Sequence, residues 1–199
     1  MDISKFEIIK EKYGHWCSWA IWAPKGEKSK SNMGDLSVLD PTKNINLLKD
    51  LKPDIVFVGL NLSKTDELTE PFANFHPKGS SAQDYKTRLA LTNTELWGGY
   101  MTDIIKDCVE LNSKVVEEYL KNNEGVEEKN IEKFREELKD LGTENPTIIA
   151  FGNIAHRILK RNLQNEFKIY KITHYSHRIN PDKYRQKFEY LINQINSEK

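Results

Sequence analysis

Apolar residues recur at every third position at the start of the chain (Ile3, Phe6, Ile9), which predicts a helix over residues 2–12. The stretch "DPTKNINLLKDLKP" (40–53) begins with an acidic N-cap and a proline at the first helical position. It stops at the next proline and predicts a second helix. The unbroken apolar run Ile55–Val58 reads as a buried strand over 54–58. "GGYMTDIIKD" predicts a second strand from Tyr100 to Ile105, and residues 113–141 read as charged helix ending at a C-cap, Gly142. "PTIIAFGN" (146–153) is a third strand feeding the helix "NIAHRILKRNL". "FKIYKITHYSHRINP" (167–181) is a fourth strand with a loop, and 182–195 is a closing helix. Strands that alternate with helices imply parallel βαβ units, hence a three-layer α/β/α fold around a central four-stranded parallel sheet. In such folds the carboxyl ends of neighbouring strands meet at one crevice, which brings together Asn61, Asp103 and His174. In the aromatic-rich segment 15–26, Trp16, Trp19 and Trp22 fit one helical face and read as core packing.

At 199 residues the chain is long enough for one domain with a real core, with 1–50 as its N-terminal helical part and 54–180 as its central motifs. The absence of an 18-residue apolar run argues against a membrane-spanning helix. The start "MDISKFEIIKEKYG" lacks the basic, apolar and small-residue blocks of a signal peptide. Two cysteines, Cys17 and Cys108, are too few for a four-thiolate cluster, and the expectation is a cytoplasmic protein with reduced thiols. Charges balance overall but not locally. Residues 110–140 carry ten acidic and six basic side chains, whereas 156–187 carry nine basic and two acidic. The basic stretch is either a set of solvated helix faces or a phosphate-binding surface. His76, His174 and His177 share no metal-ligand spacing, so neither a metal nor another cofactor is expected. No Gly-X-Ser-X-Gly elbow and no Walker loop is present.

The motifs "VGLNLS" with "PF" downstream, "YMTDIIK", "IIAFGNIAHRIL" and "ITHYSHRIN" come in an order that resembles the uracil-DNA glycosylase superfamily. The likeness covers about two thirds of the chain, from 54 to 180. It is nearest to members whose first motif is Gly-X-Asn-Pro and whose last is His-Pro-Ser-Pro-Arg-Asn; the cysteine count excludes the iron–sulfur branches. The resemblance implies a uracil-DNA glycosylase-like fold and hydrolysis of the N-glycosidic bond of a flipped base. That chemistry builds positive charge on the sugar and negative charge on the leaving base, and it requires a pocket that receives an extruded nucleotide. On this resemblance Asn61 positions the attacking water and His174 supports the anionic leaving group. Gly59, Leu60, Phe72 and Asp103 form the base pocket, with Phe72 as the stacking aromatic and Phe75 as its alternative. Ser63, Ser176, His177 and Arg178 contact DNA, Ser176 gripping a phosphate and Arg178 acting as the wedge. The expected partner is DNA and the expected state a monomer, with no membrane.

Three departures from the family pattern stand out. Leu62 and Ser63 replace Pro and Gly, Tyr175 and His177 replace two prolines, and Asp103 replaces the Asn that reads the base edge. An ionised Asp faces the O4 carbonyl of uracil with like polarity, whereas a protonated Asp, or an amino-bearing base, removes the conflict. These departures motivate an alternative, a non-catalytic nucleic-acid- or nucleotide-binding member of the same fold. A third reading, an unrelated hydrolase with an Asp103–His174 dyad, has less behind it.

Overall fold

A computed structural model describes residues 1–63, 68, 70–78 and 83–198. Five strands, β1 (Ser18–Trp19), β2 (Lys52–Asn61), β3 (Gly99–Ile105), β4 (Thr147–Phe151) and β5 (Lys168–Ile172), form one sheet in the order β1-β3-β2-β4-β5. Strands β3, β2, β4 and β5 are mutually parallel, and β1 pairs antiparallel with β3, Ser18 opposite Met101 and Trp19 opposite Tyr100. The protein is therefore α/β with a mixed five-stranded sheet rather than the four parallel strands expected. The additional strand comes from the tryptophan-rich segment. That segment is not helical, only Ser18–Trp19 being strand, and it places Trp19 and Trp22 in cores on opposite faces of the sheet.

Seven α-helices are seen among the described residues: α1 (Ile3–Tyr13), α2 (Leu47–Asp50), α3 (Tyr85–Leu91), α4 (Ser113–Asn122), α5 (Val126–Leu141), α6 (Asn153–Leu163) and α7 (Pro181–Ser197). The helix expected over 40–53 shrinks to the single turn of α2. Asp40 accepts from the Thr42 N–H at 2.9 Å and the Asn44 amide donates to Val38 O at 2.8 Å, local bonds that offer the backbone an alternative to helix. The helix expected over 113–141 breaks into α4 and α5 between Asn123 and Gly125, both poor helix formers.

Alternation along the strands sorts the core. Val56, Val58, Tyr100, Ile104, Ile148 and Ala150 pack with α1, α4, α5 and α6, whereas Ile55, Phe57, Met101, Ile149 and Phe151 pack with α3 and α7. Helices on both faces explain why β2 and β3 read as continuous apolar runs. The chain leaves β2 for β3 on one side and crosses to β4 on the other. The order of parallel strands thus reverses between β2 and β4, the position at which such sheets open a crevice at their carboxyl edge.

Candidate active site

Four strand ends meet at this edge. At the end of β4, Gly152 adopts φ +87° and ψ 179°, a conformation accessible essentially only to glycine. Its N–H donates to Ile172 O at 2.8 Å, and a Cβ at Gly152 would lie 3.4 Å from His174 Cβ. This turn fixes where the loop after β5 begins.

In that loop the Ser176 N–H donates to His174 Nδ1 at 3.1 Å, and the Ser176 hydroxyl lies 2.8 Å from the same nitrogen. With Nδ1 accepting, the neutral imidazole carries its proton on Nε2. Burial, helped by the neighbouring His177, lowers the His174 pKa to about 4, so the ring is neutral across the physiological range. His174 lies over Tyr175, ring centroids 4.2 Å apart, and Tyr175 meets Phe151 edge-on at 5.3 Å. Lys86 donates to Tyr175 O at 3.0 Å and to His177 O at 2.9 Å, anchoring the loop to α3.

Asp103 is buried on β3, paired in register with Gly59 of β2. A Cβ at Gly59 would fall 2.1 Å from Asp103 Oδ1 and 3.7 Å from Phe75 Cε1, so the missing side chain is what admits the carboxyl group and the aromatic edge. Gly59→Ala is accordingly expected to push the carboxyl group aside, costing about 1–3 kcal/mol of stability in a denaturant titration. Any base binding that uses Asp103 should fall with it, and unchanged base affinity would remove Asp103 from the pocket.

The Asn74 amide donates to Asp103 Oδ2 at 3.0 Å and also to Trp16 O at 2.6 Å. Burial raises the Asp103 pKa to about 6 against the opposing effects of Asn74 and Lys106. A second acid, Asp84 at the start of α3, is raised to about 7, mainly by burial and further by Asp103, although Tyr175 hydrogen-bonds its carboxyl group. Both groups hold protons more tightly than in the unfolded chain, so stability from this source is full below about pH 4 and is lost as pH rises through 7. Asp84→Asn should flatten that decline relative to wild type, by about 1.4 kcal/mol for each pH unit over which Asp84 is displaced, as read from stability measured across pH.

The loop that carries Asn74 holds two phenylalanines in the left-handed region, Phe72 at φ +68° and Phe75 at φ +67°. Such bulky residues occupy that region only where the surroundings enforce it, and the N-terminal aromatic segment does so here. The Phe72 N–H donates to Gly14 O at 2.6 Å, the Ser18 hydroxyl to Phe72 O at 3.0 Å, and Trp22 Nε1 to Phe75 O at 3.2 Å. His76 is buried, stacks on Trp22 at 5.3 Å and pairs with Ile21 O at 2.9 Å.

Several sequence expectations are corrected. Phe72 is a core residue with its ring 5.5 Å from Phe6, and the aromatic beside Asp103 is the alternative, Phe75. The Leu60 side chain packs with the core on the opposite face of the sheet from Gly59, so it is not a pocket wall. Asn61 stands at the end of β2, but its amide donates to Leu62 O at 2.8 Å, Cys108 O at 3.1 Å and Glu110 O at 2.8 Å. The side chain thus ties together the loops after β2 and β3, and its acceptor, Oδ1, is the end suited to orienting a water. Ser176, His177 and Arg178 line an open groove of about 410 Å³ together with Tyr85, Lys86 and Asn180; Ser63 is exposed and does not line it. Two of the nine basic residues in the basic stretch are paired with the acidic stretch, Arg157 with Glu117 and Arg161 with Glu127, and the acidic stretch's Arg135 pairs with Glu166 at 2.6 Å. The basic and acidic stretches thus partly neutralise each other across α4, α5 and α6.

Asp84 and Asn74 carry no distinguishing mark in the sequence, since an Asp ahead of a helix reads as a cap and an Asn in a polar loop as a turn former. Among the described residues no group of three or more His, Cys, Asp or Glu side chains is placed to hold a metal ion. Nor, among the described residues, is any helix long and apolar enough to cross a membrane. In comparisons with known proteins, no family model, no curated protein and no solved structure matches the chain.

Proposed function

We propose that the protein is a uracil-DNA glycosylase-like enzyme that hydrolyses the N-glycosidic bond of a flipped uracil or other deaminated base, a base-excision step. The observation that carries this reading is His174. A neutral ring with its proton on Nε2, at the carboxyl edge of the sheet, is a hydrogen-bond donor suited to an oxygen that gains negative charge as the base departs. Asp103 and Phe75 supply an edge reader and an aromatic wall for an extruded base. Oδ1 of Asn61 is the acceptor for the water that attacks the sugar. The groove beside Ser176, His177 and Arg178 suits the phosphates flanking that nucleotide.

The test is strand cleavage. End-labelled oligonucleotides, single- and double-stranded, each carrying one uracil, hypoxanthine or xanthine, are incubated with the protein and then treated with alkali. Cleavage of at least one substrate by wild type, lost in Asn61→Ala and His174→Ala, is the expected result. Retained oligonucleotide binding without cleavage of any substrate would favour the non-catalytic alternative.

A further inference from the structure

Lys86 is a buried cation, only 4% exposed, yet its polar partners among the described residues are two backbone carbonyls and no carboxylate. Nζ donates to Tyr175 O at 3.0 Å and to His177 O at 2.9 Å. An ammonium has three N–H donors, so one stays uncommitted among the described residues. Buried charges are ordinarily paired, because an unpaired one gives up its hydration without return. This charge lies instead on the wall of the open groove of about 410 Å³, beside Tyr85, Ser176, His177, Arg178 and Asn180. None of the described residues that line the groove is acidic. Lys30 adds positive charge, its Nζ 5.4 Å from the centre of the Tyr85 ring. Arg88 of α3 fixes the loop of Lys30 by donating to Ala23 O at 2.9 Å and to Ser31 O at 2.8 Å. Burial, and then the like charge of Lys30, lower the Lys86 pKa, the direction taken by a cation without a counter-ion.

We propose that Lys86 is the central cation of a subsite for a backbone phosphodiester of nucleic acid, and that it links occupation of this subsite to the placement of His174. The two carbonyls it holds flank Ser176, whose N–H and hydroxyl meet His174 Nδ1. The His177 N–H donates back to His174 O at 3.0 Å. One side chain therefore fastens both sides of the turn that orients the ring, and a phosphate drawn to Nζ acts on the same turn. The subsite stands on the groove itself, whereas the link to His174 rests on the glycosylase reading given above. For base release Lys86 is a positioning residue.

The experiment measures binding of labelled single-stranded oligothymidylate by fluorescence anisotropy across a range of salt concentrations. In wild type, log affinity should fall against log salt with a slope of about 0.7 or more, the share of at least one phosphate on a single strand. Lys86→Met should weaken binding by about tenfold or more, the loss of one charged hydrogen bond, and reduce the slope by about 0.7. Oligoadenylate should lose the same factor, since a phosphate contact carries no base information. Lys86→Arg keeps the charge and should restore the slope, a rescue that a merely structural side chain would not give. In single-turnover cleavage at saturating oligonucleotide, Lys86→Met should release the base about tenfold or more slowly, as misplacement of a catalytic group does. A wild-type slope near zero, or an unchanged slope in Lys86→Met, would overturn the subsite. Displacement of the oligonucleotide by an equimolar amount of thymidine monophosphate would identify a free nucleotide as the ligand and overturn the assignment to a nucleic-acid backbone. A reduced slope with an unchanged saturated rate would overturn the link to His174. Binding that depends on Lys86 without cleavage by wild type would leave the subsite standing and remove the glycosylase reading, and the link with it.

Discussion

His174→Ala should lower the rate of base release by about 10²–10³-fold, the usual loss when one preorganised donor to a developing oxyanion is removed. Affinity for the oligonucleotide should change little, because the donor matters most when charge appears on the base. The expectation follows from how the ring is held. The donor to Nδ1 is a backbone N–H, that of Ser176, so the tautomer does not depend on the serine side chain. Ser176→Ala should therefore leave the rate of the chemical step within about threefold while weakening any phosphate contact made by the hydroxyl. Single-turnover kinetics on a cleavable oligonucleotide separates the two effects. Equal losses in both variants would mean that the ring depends on the Ser176 hydroxyl and is not held by the backbone N–H alone.

Glu137→Ala is expected to destabilise the protein by about 3–5 kcal/mol, the cost of leaving a buried charge without its partner. Lys106 Nζ lies 2.7 Å from Glu137 Oε2, with side-chain exposures of only 1% and 0%. The ammonium also donates to Thr102 Oγ1 at 3.0 Å and to Asp103 O at 2.8 Å, and it lies 5.6 Å from the centre of the Trp16 ring. Tyr100 donates to the other carboxylate oxygen. Without the carboxylate, the ammonium must remain uncompensated, recruit water or lose its proton. In thermal unfolding the loss corresponds to about 10 °C or more for a chain of this size. The double variant Lys106→Met/Glu137→Leu should recover most of it, because an apolar pair of similar volume often replaces a buried ion pair without net cost. The same lysine grips the backbone of Asp103, so Glu137→Ala should also disturb the position of Asp103. A single variant as stable as wild type would show that the ion pair contributes nothing net.

Part of this protein is legible in its residues because period and punctuation act locally. The spacing of Ile3, Phe6 and Ile9 marks α1, and the apolar run Ile55–Val58 marks the centre of β2. Gly142 stops α5, and the alternation of strands with helices implies the parallel part of the sheet. That Asn61, Asp103 and His174 all lie toward the carboxyl edge of the sheet follows from that alternation. Local signals fail where partners are distant in sequence. Nothing near Ser18 and Trp19 announces a strand; these residues are extended because the edge of β3 offers them a ladder some 80 positions away. The choice between Phe72 and Phe75 could not be made from a loop containing both. It is made by Phe6, which takes one ring into the core, and by Gly59, which leaves room beside Asp103 for the other.

The sequence by itself therefore determined the fold class, the order of most elements and the strand ends at which chemistry is expected, since these depend on hydrophobic periodicity, caps and turns within a few residues. Only the tertiary structure decided that the tryptophan-rich segment braces the loop of Phe72, Asn74 and Phe75 and that Asp84 joins Asp103 as a second buried acid. It also decided that the acidic helices α4 and α5 take up part of the basic stretch. Burial, like-charge proximity and pairing are properties of three-dimensional neighbours, and the residues concerned look like ordinary caps, turns and surface charges until the chain has folded.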